Sequence, residues 1–192
     1  MNISFTANLK SQTIVQSKNN DGKYKKCTAS VIEFDKSNFQ DLDALEELSL
    51  KWSSEKNNIS SCIYNEATKD TTFSASPSDI KHFIGITLQK DNFEKIKAKE
   101  ILSLSVFTES KAFGNELNWL VVNPKIGFNA GEDRPFRHVG KAMIKYLINN
   151  YQGNPISVLS VCDAIKFYKK LGFKSYCSEI PEALIYKFSR TI

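Results

Sequence analysis

The chain has 192 residues, 41% hydrophobic and 24% charged, with a formal net charge of +5. That length buries one substantial core and is short for two, so one domain over 1–192 is expected. No run approaches the roughly 18 apolar residues of a membrane span, and the N-terminus lacks the charged start and apolar stretch of a signal peptide, which together predict a cytoplasmic protein.

The four cysteines, Cys27, Cys62, Cys162 and Cys177, are widely separated and form no Cys-x-x-Cys pair. A zinc site and a disulfide framework are therefore both unexpected, and reduced thiols fit best. The two histidines, His82 and His138, are joined to no cluster of cysteines or carboxylates, so no metal is predicted. Lysines are dispersed along a chain also rich in asparagine, serine and isoleucine, which suits compositional bias better than a nucleic-acid face. Arginine is scarcer and more informative, because two of the three, Arg134 and Arg137, flank one short loop.

From Ile3 to Phe34 apolar and polar residues alternate around the turn cluster Asn19-Asn20-Asp21-Gly22. Two strands joined by a hairpin follow, the second over about Tyr24 to Phe34, as an N-terminal extension at 1–34. Between Asp35 and Lys51 the period changes, with Phe39, Leu42, Leu45 and Leu48 at helical spacing. Ser53 to Ser78 is polar and punctuated, which predicts a loop with at most a short strand or helix, a candidate substrate lip. His82 to Leu88, Glu100 to Thr108 and Leu117 to Val122 read as three strands rich in β-branched and aromatic residues.

In the last third helix and strand alternate. Val139, Met143, Ile144, Leu147 and Ile148 stripe a helix that stops near Asn149 to Gly153, and Ile156 to Val161 is a continuous apolar strand. Asp163 is expected to cap a short helix carrying Ala164, Phe167, Tyr168 and Leu171, with Gly172 as its stop. Phe173 to Cys177 and Ala183 to Phe188 close the chain as strands.

The segment Arg137-His138-Val139-Gly140-Lys141-Ala142 opens a helix shortly after a strand that ends at Asn123-Pro124. Such a turn aims several backbone N–H groups at one point, with the positive end of the helix dipole behind them, and a phosphate fits there. Gly140 lets the backbone approach phosphate oxygens, Ala142 allows close packing on the sheet, and Arg137 offers a charge-assisted contact. An ordinary strand-to-helix turn has the same outline. A P-loop is excluded, because Ala142 stands where Ser or Thr is needed, and no Gly-x-Gly-x-x-Gly occurs, so ATP and NAD are poor candidates.

Three features in order, Val122-x-Pro124, the Arg137 to Ala142 turn, and Ala-x-x-Phe-Tyr-x-x-x-Gly-Phe at Ala164 to Phe173, resemble the GNAT superfamily of acyl-CoA-dependent N-acyltransferases. The resemblance covers about the last third of the chain. It implies an α/β (α+β) fold with a mixed, mostly antiparallel central sheet flanked by helices, in which the two parallel strands at Leu117 to Val122 and Ile156 to Val161 splay apart. It further implies acetyl-CoA as cosubstrate. Val121 and Val122 would contact the pantetheine arm and Arg137, His138, Val139, Gly140, Lys141 and Ala142 the pyrophosphate. The chain departs from the pattern in a long loop over Lys125 to Pro135, and in Val161, where an asparagine is frequent.

Amine acylation at neutral pH requires removal of a proton from an ammonium whose ordinary pKa is near 10.4. Glu116, six residues before Val122, matches a position where some members of the superfamily carry a catalytic glutamate; a solvated carboxylate at a strand end reads equally well. Tyr168 lies on the inward face of its helix near the family's departing sulfur, where a hydrogen bond would strengthen as charge develops; it also reads as a core tyrosine. Cys162 without a neighbouring histidine reads as a structural thiol. His82, at a strand start, is placed near the acceptor only by its position. The expected activity is direct transfer of an acetyl group to a primary amine. The alternatives are an aminoacyl-tRNA-acetylating toxin and a non-catalytic CoA-binding module. A homodimer through the C-terminal strands is the family-level expectation.

Overall fold

The alternation of the N-terminal third is expressed as two long antiparallel strands, β1 (Asn8–Lys18) and β2 (Tyr24–Phe34), in a computed structural model that describes residues 7–53, 58–69, 79–127 and 134–188. Two helices follow, α1 (Phe39–Trp52) and α2 (Ile59–Thr68), then β3 (Ile80–Thr87), β4 (Ile101–Glu109) and β5 (Asn115–Val122). The last third contains β6 (Phe136–Arg137), α3 (Val139–Asn150), β7 (Ile156–Leu159), α4 (Ile165–Lys170), β8 (Lys174–Ser175) and β9 (Ala183–Tyr186). All nine strands form one sheet in the order β6-β1-β2-β3-β4-β5-β7-β9-β8. Every pairing is antiparallel except β5 with β7. The expected mixed sheet flanked by helices, with two parallel strands at its centre, is present.

Alternation along the strands divides the core between the two faces of the sheet. On one face Leu45, Leu48 and Trp52 of α1 and Ile63 and Ala67 of α2 pack on Ile32, Phe83, Leu104, Val106 and Val121. On the other, Val139, Met143, Ile144 and Leu147 of α3 and Tyr168 of α4 pack on Val31, Ile84, Phe107, Leu117 and Val158. Each fully buried aliphatic side chain in these layers stabilises the fold by about 1.5–3 kcal/mol relative to exposure.

Local details refine the sequence reading. The polar stretch after Ser53 contains a ten-residue helix, α2, because Ile63 and Ala67, with the small Ser60, give it a narrow buried stripe that a polar average conceals. Residues 54–57 and 70–78 of the candidate substrate lip lie outside the described residues. The cap of α1 is Asn38, whose side chain accepts from Gln40 N at 2.8 Å, and Asp35 closes a turn with Ser37 just before it. Asp163 sits within a single 3-10 turn at Cys162–Ala164 and makes no capping bond, so α4 begins two residues later. Gly172, at φ +98°, does end α4, in a backbone region open to glycine.

His82 stands near the start of β3, on the sheet face that packs against α3. Its Nδ1 is 2.6 Å from Glu33 Oε1, and its ring packs at 5.0 Å from that of Tyr151, just past the C-terminal end of α3. The pairing of His82 with Phe107 puts it at the end of β3 remote from Val122, which pairs with Ser103. Among the described residues no helix is long and apolar enough to cross a membrane.

Candidate functional site

The site begins with an irregularity in β5. Phe107 of β4 faces Leu117, but Val106 faces Trp119, so Asn118 is an extra residue in the ladder. Its side-chain oxygen accepts from the Thr108 hydroxyl at 2.6 Å. A bulge bends the strand that carries it. Parallel pairing with β7 spans only Asn115↔Ile156, Glu116↔Ser157 and Leu117↔Val158, and it stops where the bulge starts. Beyond that point the edge of β5 from Asn118 to Val122 that faces β7 has no partner strand. The expected splay between the two parallel strands therefore has a local cause. An asparagine inside an otherwise apolar strand was its only trace in the sequence.

Asn123 closes the end of β5, accepting from the N–H groups of Ile126 and Gly127 at 2.9 Å each. Residues 128–133, the centre of the long loop, lie outside the described residues. When the chain resumes, Phe136 and Arg137 pair with Ser17 and Gln16 of β1, Pro135 O accepts from Lys18 N at 2.8 Å, and the Tyr24 hydroxyl donates to Arg134 O at 2.6 Å. The Arg137 guanidinium lies 3.8 Å from the centre of the Tyr24 ring. The N-terminal hairpin thus holds the approach to α3 from the far edge of the sheet, a contact between residues more than a hundred apart that no local pattern discloses.

His138 precedes α3 in the left-handed region, at φ 64° and ψ 13°, uncommon for a residue with a side chain. The first intrahelical bond runs from Ala142 N to His138 O, and among the described residues nothing accepts from the N–H groups of Val139, Gly140 or Lys141. Burial first, then the charges of Lys141, Arg137 and Arg134, hold the His138 imidazole below its usual pKa. Arg134 Nε and Arg137 Nε are both buried without a hydrogen-bond partner. Five donors at this turn and the approach to it thus lack an acceptor among the described residues.

Gly140 is the second informative position. A β-carbon there would lie 3.4 Å from Val122 Cγ2 and 3.5 Å from Phe167 Cζ, ordinary van der Waals contact, so the fold itself tolerates a side chain. Glycine costs a helix about 0.5–1 kcal/mol relative to alanine. The glycine leaves a small space between α3, Val122 of β5 and Phe167 of α4. These features fit a diphosphate. Phe167, half-buried at the rim of that space, is a lining residue the sequence reading had assigned only to the helix stripe.

The remaining candidates are placed as follows. Val121 is buried on the α1/α2 side and Val122 is half-buried on the α3/α4 side, both beyond the bulge. Ala142 is buried against the sheet. Tyr168 is 6% exposed between Phe167 and Phe173, at ring distances of 5.0 and 5.4 Å. Burial pushes its phenol up to about 12, and its hydroxyl makes no hydrogen bond to a described residue. Glu116 is exposed one position before the last parallel pair, on the face opposite α3. Cys162 is exposed, and its thiol donates to Glu182 Oε1 at 3.1 Å. That carboxylate raises the thiol pKa, so Cys162 carries no thiolate for nucleophilic attack.

Two clefts flank the exposed side of α3. One of about 250 Å³ lies between Thr13 and Ile14 of β1 and His138, Lys141 and Lys145; the other, about 370 Å³, lies between Lys141, Lys145 and Asn149 of α3 and Lys170, Leu171 and Tyr186. Neither is lined by β5 or β7.

No protein-family profile matches the chain, and no curated protein does. Among solved structures, a chain from the crystal structure of a KacTA-DNA complex is similar at 13% identity and a TM-score of 0.46, over 70% of this chain and 80% of that one. The strand order, the parallel pair that separates at Asn118, and the helix-opening turn set beside that separation give the chain a GNAT-like architecture.

Proposed function

We propose that the chain transfers an acetyl group from acetyl-CoA to a primary amine. The observation that supports this most is the cationic turn at His138–Lys141, with its free N–H groups and the space kept open by Gly140, set beside the unpaired edge of β5. In this reading Arg137, His138, Val139, Gly140, Lys141 and Ala142 form the diphosphate cradle, and the backbone of Val121 and Val122 holds the pantetheine arm. Acetyl-CoA, when bound, supplies an acyl group activated as a thioester.

The residues then have separate tasks. Glu116 offers an exposed carboxylate on the face of β5 opposite α3, where an approaching ammonium can lose its proton before attack. Tyr168 stays protonated far above neutral pH, so it presents an O–H donor at all physiological pH values. At such a pKa it is a poor acid, and its role is a hydrogen bond that strengthens as negative charge grows on a departing sulfur. The amine nitrogen gains the acyl carbon, the carbon–sulfur bond breaks, and one proton from the amine ends on the released thiol.

The test is calorimetric titration of acetyl-CoA into the protein and into Gly140→Glu, followed by amine-dependent thiol release. A carboxylate in the cradle opposes phosphate by several kcal/mol, so affinity should fall about 10³-fold. Saturable binding without thiol release for any amine would reduce the chain to a CoA-binding module. No binding by folded protein would end the reading. An amine carried on a tRNA is a second acceptor reading, favoured by the outer surface of α3 and α4, whose charged residues are all lysines.

A further inference from the structure

The two helical layers carry opposite charge. In α1 and α2 the ionisable residues are Asp41, Asp43, Glu46, Glu47 and Glu66 against a single lysine, Lys51. In α3 and α4 they are Lys141, Lys145, Lys166, Lys169 and Lys170, with no aspartate or glutamate. All five lysines are exposed, and none forms an ion pair among the described residues, whereas Lys10, Lys51, Lys81 and Lys97 on other elements do. Other lysines remain spread over the chain, and the two helices of this layer differ from them in presenting ammonium groups with no acid on the same helices.

Helical spacing makes two rows of this charge. Lys141 and Lys145 are one turn apart on α3, and Lys166 is followed one turn later by Lys169 and Lys170 on α4, with about 5–6 Å between neighbouring Cβ atoms. Between the rows lies the cleft of about 370 Å³, into which Lys141, Lys145 and Lys170 converge with Asn149 and Tyr186. The chemistry of the partner follows from what this surface lacks. The large exposed apolar residues of the described chain include Phe39, Leu50, Phe113, Leu159 and Val161, and none lies on α3 or α4. A membrane-surface helix needs an apolar face to insert, and protein interfaces are depleted in lysine and enriched in aromatic anchors. Repeated, unpaired ammonium groups without apolar anchors suit a ligand with repeated phosphates.

We infer that the outer surface of α3 and α4 binds the phosphate backbone of a nucleic acid, without base readout. The inference does not rest on acyl transfer and is read without acetyl-CoA. The experiment is fluorescence polarisation with a labelled RNA stem-loop and a labelled duplex DNA, between 50 and 200 mM salt. The test variant reverses Lys145, Lys166, Lys169 and Lys170 to Glu; Lys141 is spared because it belongs to the diphosphate cradle. Its control reverses Lys90 and Lys99, two exposed lysines on the β3–β4 connection. Circular dichroism and thermal melting establish that both fold.

The expected result is binding of at least one polynucleotide that weakens steeply with salt. The four-lysine variant should lose at least tenfold in affinity, and its slope of log affinity on log salt for the duplex should be shallower by about 3 to 4. The control should retain affinity. Absence of binding to both polynucleotides at 50 mM salt overturns the inference, and so do equal losses in the variant and the control. It is also overturned if the variant loses acetyl-CoA instead while the parent protein ignores nucleic acid, because these lysines then serve the cosubstrate's own phosphates. Failure of acetyl-CoA to bind while the polynucleotide result stands would end the acyltransferase reading alone.

Discussion

His82 and His138, the chain's two histidines, stand at opposite ends of the sheet in opposite electrostatic surroundings. His82 has Glu33 at 2.6 Å on Nδ1 and Glu109 at 3.5 Å from Nε2, and the other oxygen of Glu33 takes Lys10 at 2.8 Å. Burial disfavours the Glu33 carboxylate, but its bonds to His82 and Lys10 outweigh that and hold its pKa below the ordinary value. His138 has Lys141, Arg137 and Arg134 around it and is pushed toward the neutral form. The first cluster has a carboxylate for each base, although His82 Nε2 is itself buried without a hydrogen bond. The second carries an excess of donors and positive charge that the described chain does not neutralise. A balanced polar cluster is a structural solution, whereas an unbalanced one asks for a ligand.

That contrast predicts that substitutions around His138 and the adjoining gap change binding and turnover, while those around His82 change stability alone. The largest effect is expected from Tyr168→Phe, which keeps the packing of the ring and removes the O–H donor. Turnover in a thiol-release assay should fall about 10²-fold, with the acetyl-CoA affinity unchanged. Equal turnover in the variant would assign Tyr168 to the core.

Glu33→Gln comes next. It removes the charge-assisted bonds to His82 and Lys10 and should cost about 1.5–3 kcal/mol in urea unfolding, with acetyl-CoA affinity unaltered. A parallel loss of donor affinity would break the division between the two ends.

Gly140→Ala is expected to weaken acetyl-CoA by about tenfold, equivalent to about 1.4 kcal/mol. The same change should leave the fold as stable or up to about 1 kcal/mol more so, since the added carbon meets only ordinary contacts. Opposite signs for binding and stability at one residue would be hard to reconcile with a purely structural turn.

The smallest effect concerns protonation at His138. Its folded pKa lies below the ordinary value, so the unfolded chain binds the proton more readily. The stability it contributes is present above the unfolded pKa, near 6.5, and is lost as pH falls through the folded value. His138→Asn, which retains a residue tolerant of the left-handed region, should flatten that dependence in thermal melts. Titration by NMR should show the His138 pKa rising when acetyl-CoA binds, because phosphate charge opposes the lysine and arginines.

Much of the local structure around the proposed donor site was legible from residue order. Arg137 to Ala142 opens a helix beside an apolar strand, and the bounds of β2, β5 and α3 agree with their periodicity to within two residues. The α2 helix was not legible, since a stripe as narrow as Ser60, Ile63 and Ala67 disappears among polar neighbours. The surroundings of His82 were not legible for a different reason. A strand position tells which face a side chain takes but not which distant carboxylates share that face, and Glu33 is 49 residues away.

By itself the sequence determined periodicity and local turn chemistry: which stretches alternate, where helices stop, and which hexapeptide has the glycine and cations to meet a phosphate. These are properties of neighbours along the chain, governed by backbone sterics and side-chain spacing over a few residues. Only the tertiary structure decided that the N-terminal hairpin braces that hexapeptide through Tyr24 and Pro135, that β5 parts from β7 at Asn118, and that the lysines of α3 and α4 cover one face of the sheet while the acids of α1 and α2 cover the other. Those outcomes depend on which distant segments the packed sheet makes neighbours, and charge and splay acquire meaning only once the two faces exist.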